Sequence, residues 1–168
     1  VAASKYARLE FERRFLLAAV PDGGEIERVL DIEDRYLDGT RLRLRRQAER
    51  GGPVVFKLTQ KVPAEETLTT IYLSEAEHAI LAALPAATLR KSRSSIAPYL
   101  VDVFAPPLDG LVLAEVEFDS AERAEAFRPA AFCLAEVTED PRFTGGSLAR
   151  ATREKVAAWA AGFGVALG

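Results

Sequence analysis

The sequence predicts a mainly β (α+β) fold: a closed eight-stranded antiparallel β-barrel forming a charged tunnel, with about three packing helices. Three observations predict it. Charges recur at period two along strand-like segments: Glu10, Glu12 and Arg14; Arg41, Arg43 and Arg45; Lys57 and Lys61; Lys91 and Arg93; Glu115 and Glu117. In a strand that spacing places each set on one face. The intervening residues, such as Phe11, Leu42, Leu44, Leu58, Val116 and Phe118, are mostly large and apolar. Finally, about eight such segments follow one another through short connections, which favour antiparallel neighbours. A sheet with a greasy outside and a charged inside inverts the ordinary half-buried sheet. Closure into a barrel, with helices over the outer face, reconciles these features. Alternating charge on one strand describes a solvated face equally well; five such strands favour a charged interior.

The elements read in order as follows. The first strand covers residues 6–16 and ends at Pro21-Asp22-Gly23-Gly24. A second covers 28–37, and Asp38-Gly39 is a tight-turn signal into a third over 41–47. Gly51-Gly52-Pro53 turns into 54–61, and 67–73, rich in Thr, Ile and Tyr, is the fifth. Ser74-Glu75-Ala76-Glu77 is a capping box opening a helix to about residue 84. Segments 88–96 and 99–104 form a hairpin pair, and 111–118 is the eighth strand. Asp119 with Glu122 is a second capping box, for a short helix to 127. A last helix over 147–161 carries Leu148, Val156 and Trp159 on its apolar side, to pack on the barrel or plug one end.

The chain has 168 residues, read as one domain spanning 1–168. Charged residues make up 28% and hydrophobic ones 49%, which excludes global disorder. A net charge of −3 argues against a nucleic-acid partner but leaves room for a local basic site. The single cysteine, Cys133, rules out an internal disulfide and reads as a buried, inert thiol. The single histidine, His78, reads as a solvated helix position, so the usual zinc sites are excluded. No apolar run approaches 18 residues, so no membrane span is expected. The N-terminus is charged rather than signal-like, and a cytoplasmic protein is expected. The outer strand faces would be covered by helices or by a second subunit, so monomer and homodimer both remain open.

The inward set carries both signs. Its acids are Glu10, Glu12, Glu115 and Glu117, with Asp102 as a fifth. Its bases are Arg14, Arg41, Arg43, Arg45, Lys57, Lys91 and Arg93. Burying such a set without partners costs several kcal/mol per charge. Paired arginines suit phosphate oxygens. Paired carboxylates suit a hard divalent cation, Mg²⁺ or Mn²⁺. A small-molecule polyphosphate or nucleoside triphosphate with its metal answers both demands. The chain lacks a Gly-rich phosphate loop, so side chains must hold the phosphates.

The ordered series also resembles a known family. Glu10-Phe11-Glu12-Arg13-Arg14-Phe15-Leu16 is similar to the ExExK signature of the CYTH superfamily, the triphosphate tunnel metalloenzymes. Tyr36-Leu37, Arg41-Leu42-Arg43, Phe56-Lys57-Leu58-Thr59, Leu89-Arg90-Lys91-Ser92-Arg93, Val101-Asp102-Val103-Phe104 and Leu113-Ala114-Glu115-Val116-Glu117-Phe118 resemble its later strands. Glu136-Val137-Thr138 and the stretch from Phe143 to Leu148-Ala149 resemble its tail. The resemblance implies an eight-stranded antiparallel tunnel and metal-dependent hydrolysis of a triphosphate, inorganic tripolyphosphate first. It implies that Glu10, Glu12, Asp102, Glu115 and Glu117 serve the metal. Arg41, Arg43, Lys57, Lys91 and Arg93 would hold the triphosphate, and the signature residues Glu10, Glu12 and Arg14 are the catalytic candidates. Arg14 stands where the signature has lysine, and the fifth strand lacks inward charge. These departures keep three alternatives open: an adenylyl cyclase, a nucleotide or thiamine triphosphatase, and a non-catalytic polyphosphate-binding module. Tyr36, Phe104 and Trp159 would be the candidate slot for a base or ring.

Overall fold

The computed structural model describes residues 7–62 and 67–168; residue 6 of the first predicted strand lies outside them. Its strands are β1 (Arg8–Leu9), β2 (Phe11–Leu17), β3 (Arg28–Leu37), β4 (Leu42–Glu49), β5 (Val54–Val62), β6 (Thr67–Leu73), β7 (Ala86–Ile96), β8 (Tyr99–Phe104), β9 (Val112–Phe118) and β10 (Ala135–Glu136). Four helices, α1 (Glu75–Ala82), α2 (Ala121–Ala126), α3 (Gly145–Leu148) and α4 (Arg153–Ala161), and a 3-10 turn at Pro141–Phe143 complete it. The eight longer strands are those the alternation predicts. The β3–β4 turn depends on Gly39, whose φ of 70° an L side chain rarely adopts.

The predicted closed barrel is not what forms. The strands make one antiparallel sheet in the order β1-β6-β5-β4-β3-β7-β8-β9-β2-β10, which is not closed into a barrel. The reason lies at the free edge of β2. Closure there would need the outward backbone groups of Arg14 and Leu16. Those groups are taken by the 134–138 segment: Leu134 N–H donates to the Leu16 carbonyl (2.9 Å), Val137 N–H to the Arg14 carbonyl (2.8 Å), and Arg14 N–H to Thr138 Oγ1 (2.9 Å). Only the two residues of β1 pair with β6, and the single residue Glu10 separates β1 from β2. The sheet is nonetheless curled enough for Lys61 on β5 to reach Glu10, at 2.5 Å.

Two apolar clusters hold this curled sheet. The first joins Leu16, Leu89, Phe104 and Leu113 of the inner face to Phe143, Leu148, Val156 and Ala160 of the C-terminal segment. Phe143 meets Trp159 edge-on, with ring centroids 6.2 Å apart. The second covers the outer face of β2, β8 and β9, where Phe15, Val101, Ala114 and Val116 lie under Phe118, Phe127 and Phe132. Cys133 packs at its edge, half-buried rather than fully buried, and burial raises its thiol pKa.

Helical cover is thinner than expected. The capping box at Ser74 and Glu77 forms as predicted, but α1 buries none of its residues, and Ile71, Tyr72 and Ile80 stay exposed. The outer faces of β3 and β7 carry solvated pairs such as Glu33–Arg90 (2.7 Å). His78 is half-exposed and stacks on Phe56. The N-cap of α2 is Ser120, which accepts from Arg123 N–H, while Asp119 pairs with the Arg123 side chain at 2.7 Å. The predicted 147–161 helix is two helices, because Thr152 leaves helical geometry to cap α4.

Leu16 is fully buried where the inner face meets the C-terminal segment. Truncation of Leu16 to alanine is expected to cost about 2–5 kcal/mol, the range for cavity-forming core changes. Urea unfolding of the variant against wild type measures this.

Candidate active site

The inner face follows the strand parity. Register sets Arg14 opposite Glu115 and Glu12 opposite Glu117 on β2 and β9, and Arg93 opposite Asp102 on β7 and β8. Asp34 of β3 stands opposite Arg45 of β4. All of these but Asp34 and Asp102 line a cavity of about 580 Å³. Eight cationic side chains line it, Arg14, Arg41, Arg43, Arg45, Lys61, Lys91, Arg93 and Arg150, against four acids, Glu10, Glu12, Glu115 and Glu117. Apolar wall comes from Leu89, Phe104, Leu113, Phe143 and Leu148, all members of the first core cluster.

The deepest charges form a continuous network. Arg93 grips Asp102 with two hydrogen bonds of 2.6 Å and reaches Glu115 at 2.5 Å. Lys91 donates to the same Asp102 at 2.5 Å. Arg14 donates to Glu115 at 3.3 Å and pairs with Glu12. Burial alone would raise the Glu115 pKa. The charges of Arg93, Lys91 and Arg14 outweigh it and hold that carboxyl well below its ordinary range. Burial lowers the Lys91 pKa, against the opposing pull of Asp102. On the facing strands Arg45 makes two bonds of 2.7 Å to Asp34. Burial pushes Asp34 up, but the charge and hydrogen bonds of Arg45 leave it below its ordinary value. Arg43 lies 3.8 Å from the same carboxylate, and its buried Nε has no hydrogen-bond partner.

The acids occupy one wall. Glu12 is pushed up by burial and by Glu115, and it faces Glu117 directly across the β2–β9 ladder, where like charges repel. Glu117 is exposed and makes no ion pair among the described residues. Among those residues no three acidic side chains are gathered as metal ligands. Glu12 and Glu115 are turned toward Arg14 and Arg93 instead. The donor chemistry of Glu10, Glu12 and Glu117, hard carboxylate oxygens of like charge of which Glu117 has no ion-pair partner among the described residues, fits a divalent cation.

Of the sequence candidates, Glu10, Glu12, Arg14, Arg41, Arg43, Lys91, Arg93, Glu115 and Glu117 all line the cavity. Two do not. Lys57 bonds Gln47 at 3.4 Å and lies against Tyr72, away from the cavity. Asp102 is buried behind Lys91 and Arg93. Sequence reading left out Asp34 and Arg150, and it named Lys61 in the alternation and Arg45 among the inward bases without giving either a site role. Arg45 and Lys61 already carry the inward parity, so the signal for them was there. Thr59 and Thr70 bond each other at 2.9 Å, and Leu68 is the contribution of β6 to the wall, as its uncharged sequence implies.

Fold and cavity together define an antiparallel β protein with a mainly cationic internal pocket. The chain matches no protein-family profile. It is 35% identical over 150 residues to the inorganic triphosphatase of Nitrosomonas europaea, spanning 83% of this chain and 96% of that protein. A crystal structure of an inorganic triphosphatase superposes with a TM-score of 0.59 at 30% identity, over 86% of this chain and 96% of that one. A Pyrococcus horikoshii protein shares the fold alone, with a TM-score of 0.52 at 15% identity over 69% of this chain and 83% of that one. The chain belongs to the inorganic triphosphatase family.

Asp34 and Arg45 are both buried, so removing the acid strands a guanidinium. Asp34→Ala is expected to cost about 3–5 kcal/mol at neutral pH. A carboxylate with a depressed folded pKa contributes stability above its unfolded pKa and loses it as pH falls through the folded value. The acid limb of the stability curve is therefore expected to be shallower in Asp34→Ala than in wild type. Thermal unfolding across the acid range measures both.

Proposed function

We propose that this chain is a CYTH-type triphosphatase that hydrolyses inorganic tripolyphosphate with a divalent metal ion. The observation that carries the reading is the cavity wall: eight cations against four acids, with the buried Arg43 Nε unpartnered. An excess of positive charge in a cavity of this size calls for a compact polyanion. The family membership supports hydrolysis as the reaction.

Arg41, Arg43, Lys61, Lys91 and Arg93 would hold the phosphate oxygens, and Arg14 would join them to the acidic wall. Glu10, Glu12 and Glu117 would hold Mg²⁺ or Mn²⁺. When bound, such an ion supplies Lewis-acid charge to the phosphoryl oxygens and lowers the pKa of a water molecule. Attack of water on a terminal phosphorus breaks its bond to the bridging oxygen and releases phosphate and pyrophosphate. The guanidinium groups of Arg14 and Arg93, fixed by Glu115 and Asp102, would neutralise charge as it shifts to the leaving oxygen. Their positions are set before the reaction, so little reorganisation accompanies it.

A compact substrate is favoured over a nucleotide because Trp159 packs away from the cavity, and Tyr36 and Phe104, which line it, are packed against the same apolar cluster. Tyr36 is partly buried, desolvation pushes its hydroxyl pKa up to about 12, and it lies so close to Gly145 that a Cβ there would sit 1.9 Å from its oxygen.

The test is phosphate release from tripolyphosphate, pyrophosphate and ATP, each with Mg²⁺, Mn²⁺ or chelator. Metal-dependent release from tripolyphosphate, well above the other two, is expected; equal release with chelator sinks the metal role. Glu117→Gln removes no ion pair and is expected to lower turnover by on the order of 100-fold while unfolding like wild type. Arg43→Ala is expected to raise KM by about tenfold, the loss of a charge-assisted hydrogen bond. Steady-state kinetics on both variants separates the two roles.

A further inference from the structure

Lys61 holds a position that a phosphate-binding role alone does not explain. Its Nζ lies 2.5 Å from Glu10 Oε2 and 3.6 Å from Glu12 Oε1, and it is the Glu10 ion-pair partner among the described residues. The contact spans the open seam of the sheet, because no ladder joins β5 to β2. Those carboxylates are the pair to which a divalent ion is assigned above. The Lys61 side chain is 49% exposed, and it lines the same cavity as the phosphate-facing cations.

We propose that Lys61 is a shared cation, which neutralises Glu10 and Glu12 and yields them to the divalent ion, turning then to the triphosphate. The inference rests on the reading of those carboxylates as a cation site. An ammonium and a divalent ion repel each other and compete for the same oxygens, so occupation by one disfavours the other. Exchange is cheap, because a half-exposed ion pair contributes little. Metal binding thereby releases one cation to the phosphates. By linkage the two ligands then favour each other's binding, over and above any direct contact between them.

The experiment is titration of Mn²⁺ alone into wild type, Lys61→Gln and Arg41→Gln, followed by the tripolyphosphate KM at saturating Mn²⁺. Arg41 lines the cavity without touching either carboxylate, so its variant reports the general effect of deleting one positive charge. Lys61→Gln is expected to bind Mn²⁺ roughly two- to five-fold more tightly than wild type, and more tightly than Arg41→Gln, while its KM rises. Mn²⁺ affinity in Lys61→Gln no higher than in Arg41→Gln overturns the proposal. Weaker Mn²⁺ binding overturns it too and makes Lys61 a support of the metal site. An unchanged KM removes the second half of the exchange. Wild type that binds no Mn²⁺ takes down the carboxylate site itself, and the inference with it. Thermal unfolding confirms that each variant is folded before its titration is read.

Discussion

The structure depends on mutual neutralisation of charges that the sheet forces indoors. Asp102 binds Lys91 and Arg93, Arg93 binds Glu115, Glu115 binds Arg14, and Arg14 binds Glu12. Each member holds the next in position, and none has a full water shell to fall back on. Loss of one therefore propagates: removal of Asp102 would leave Lys91 without its carboxylate and Arg93 with Glu115 alone, and removal of Glu115 would leave Arg14 with Glu12 alone and Arg93 with Asp102 alone. Such a chain is a poor source of stability, since desolvation offsets most of the Coulombic gain. Stability comes from the two apolar clusters, one between the inner face and the C-terminal segment, the other over the outer face of β2, β8 and β9. What the ion network provides is geometry, side chains that arrive at the cavity already oriented.

Much of this was legible as parity. Period-two charge brought nine of the eleven candidate residues to one cavity, because strand geometry leaves an alternating set no other choice of face. What parity does not give is height along the cavity. Lys57 and Lys61 share a face of β5, yet only Lys61 reaches the cavity, because strand stagger fixes which rung meets Glu10. Asp102 is similar: its face was right, but Lys91 and Arg93 stand between it and the cavity. Asp34 was hidden for another reason. Its strand, Arg28–Leu37, carries Asp31, Glu33 and Arg35 on the outer face and Leu30 and Ile32 on the inner, so no charge alternation marked it.

Closure was the larger error, and local pattern could not have prevented it. Whether β2 pairs with β6 or with the 134–138 segment is a competition between contacts more than 50 and more than 110 residues apart. The second wins through three hydrogen bonds at Arg14 and Leu16. Arg13, on the outer side, reinforces the choice by binding Glu136 at 2.8 Å and the carbonyls of Ala124 and Phe127. The residues responsible, Glu136 and Thr138, lie in a segment without strand periodicity.

The open seam and the charge layout belong together. Acids cluster where β2 meets β9, and cations lie mostly on β4, β5 and β7. Opposite charges thus face each other across the cavity rather than cancelling pair by pair along one strand. Arg14 and Lys61 are the points where the two walls touch, one buried between Glu12 and Glu115, the other half-exposed at the seam. A fully paired interior would need no ligand, and a single-signed one would carry several kcal/mol of uncompensated burial per charge. A divided interior avoids both. Its acidic wall is only partly neutralised by Arg14 and Lys61, its basic wall only partly by Asp34 and Asp102, and a metal-bound polyanion meets both needs in one binding event.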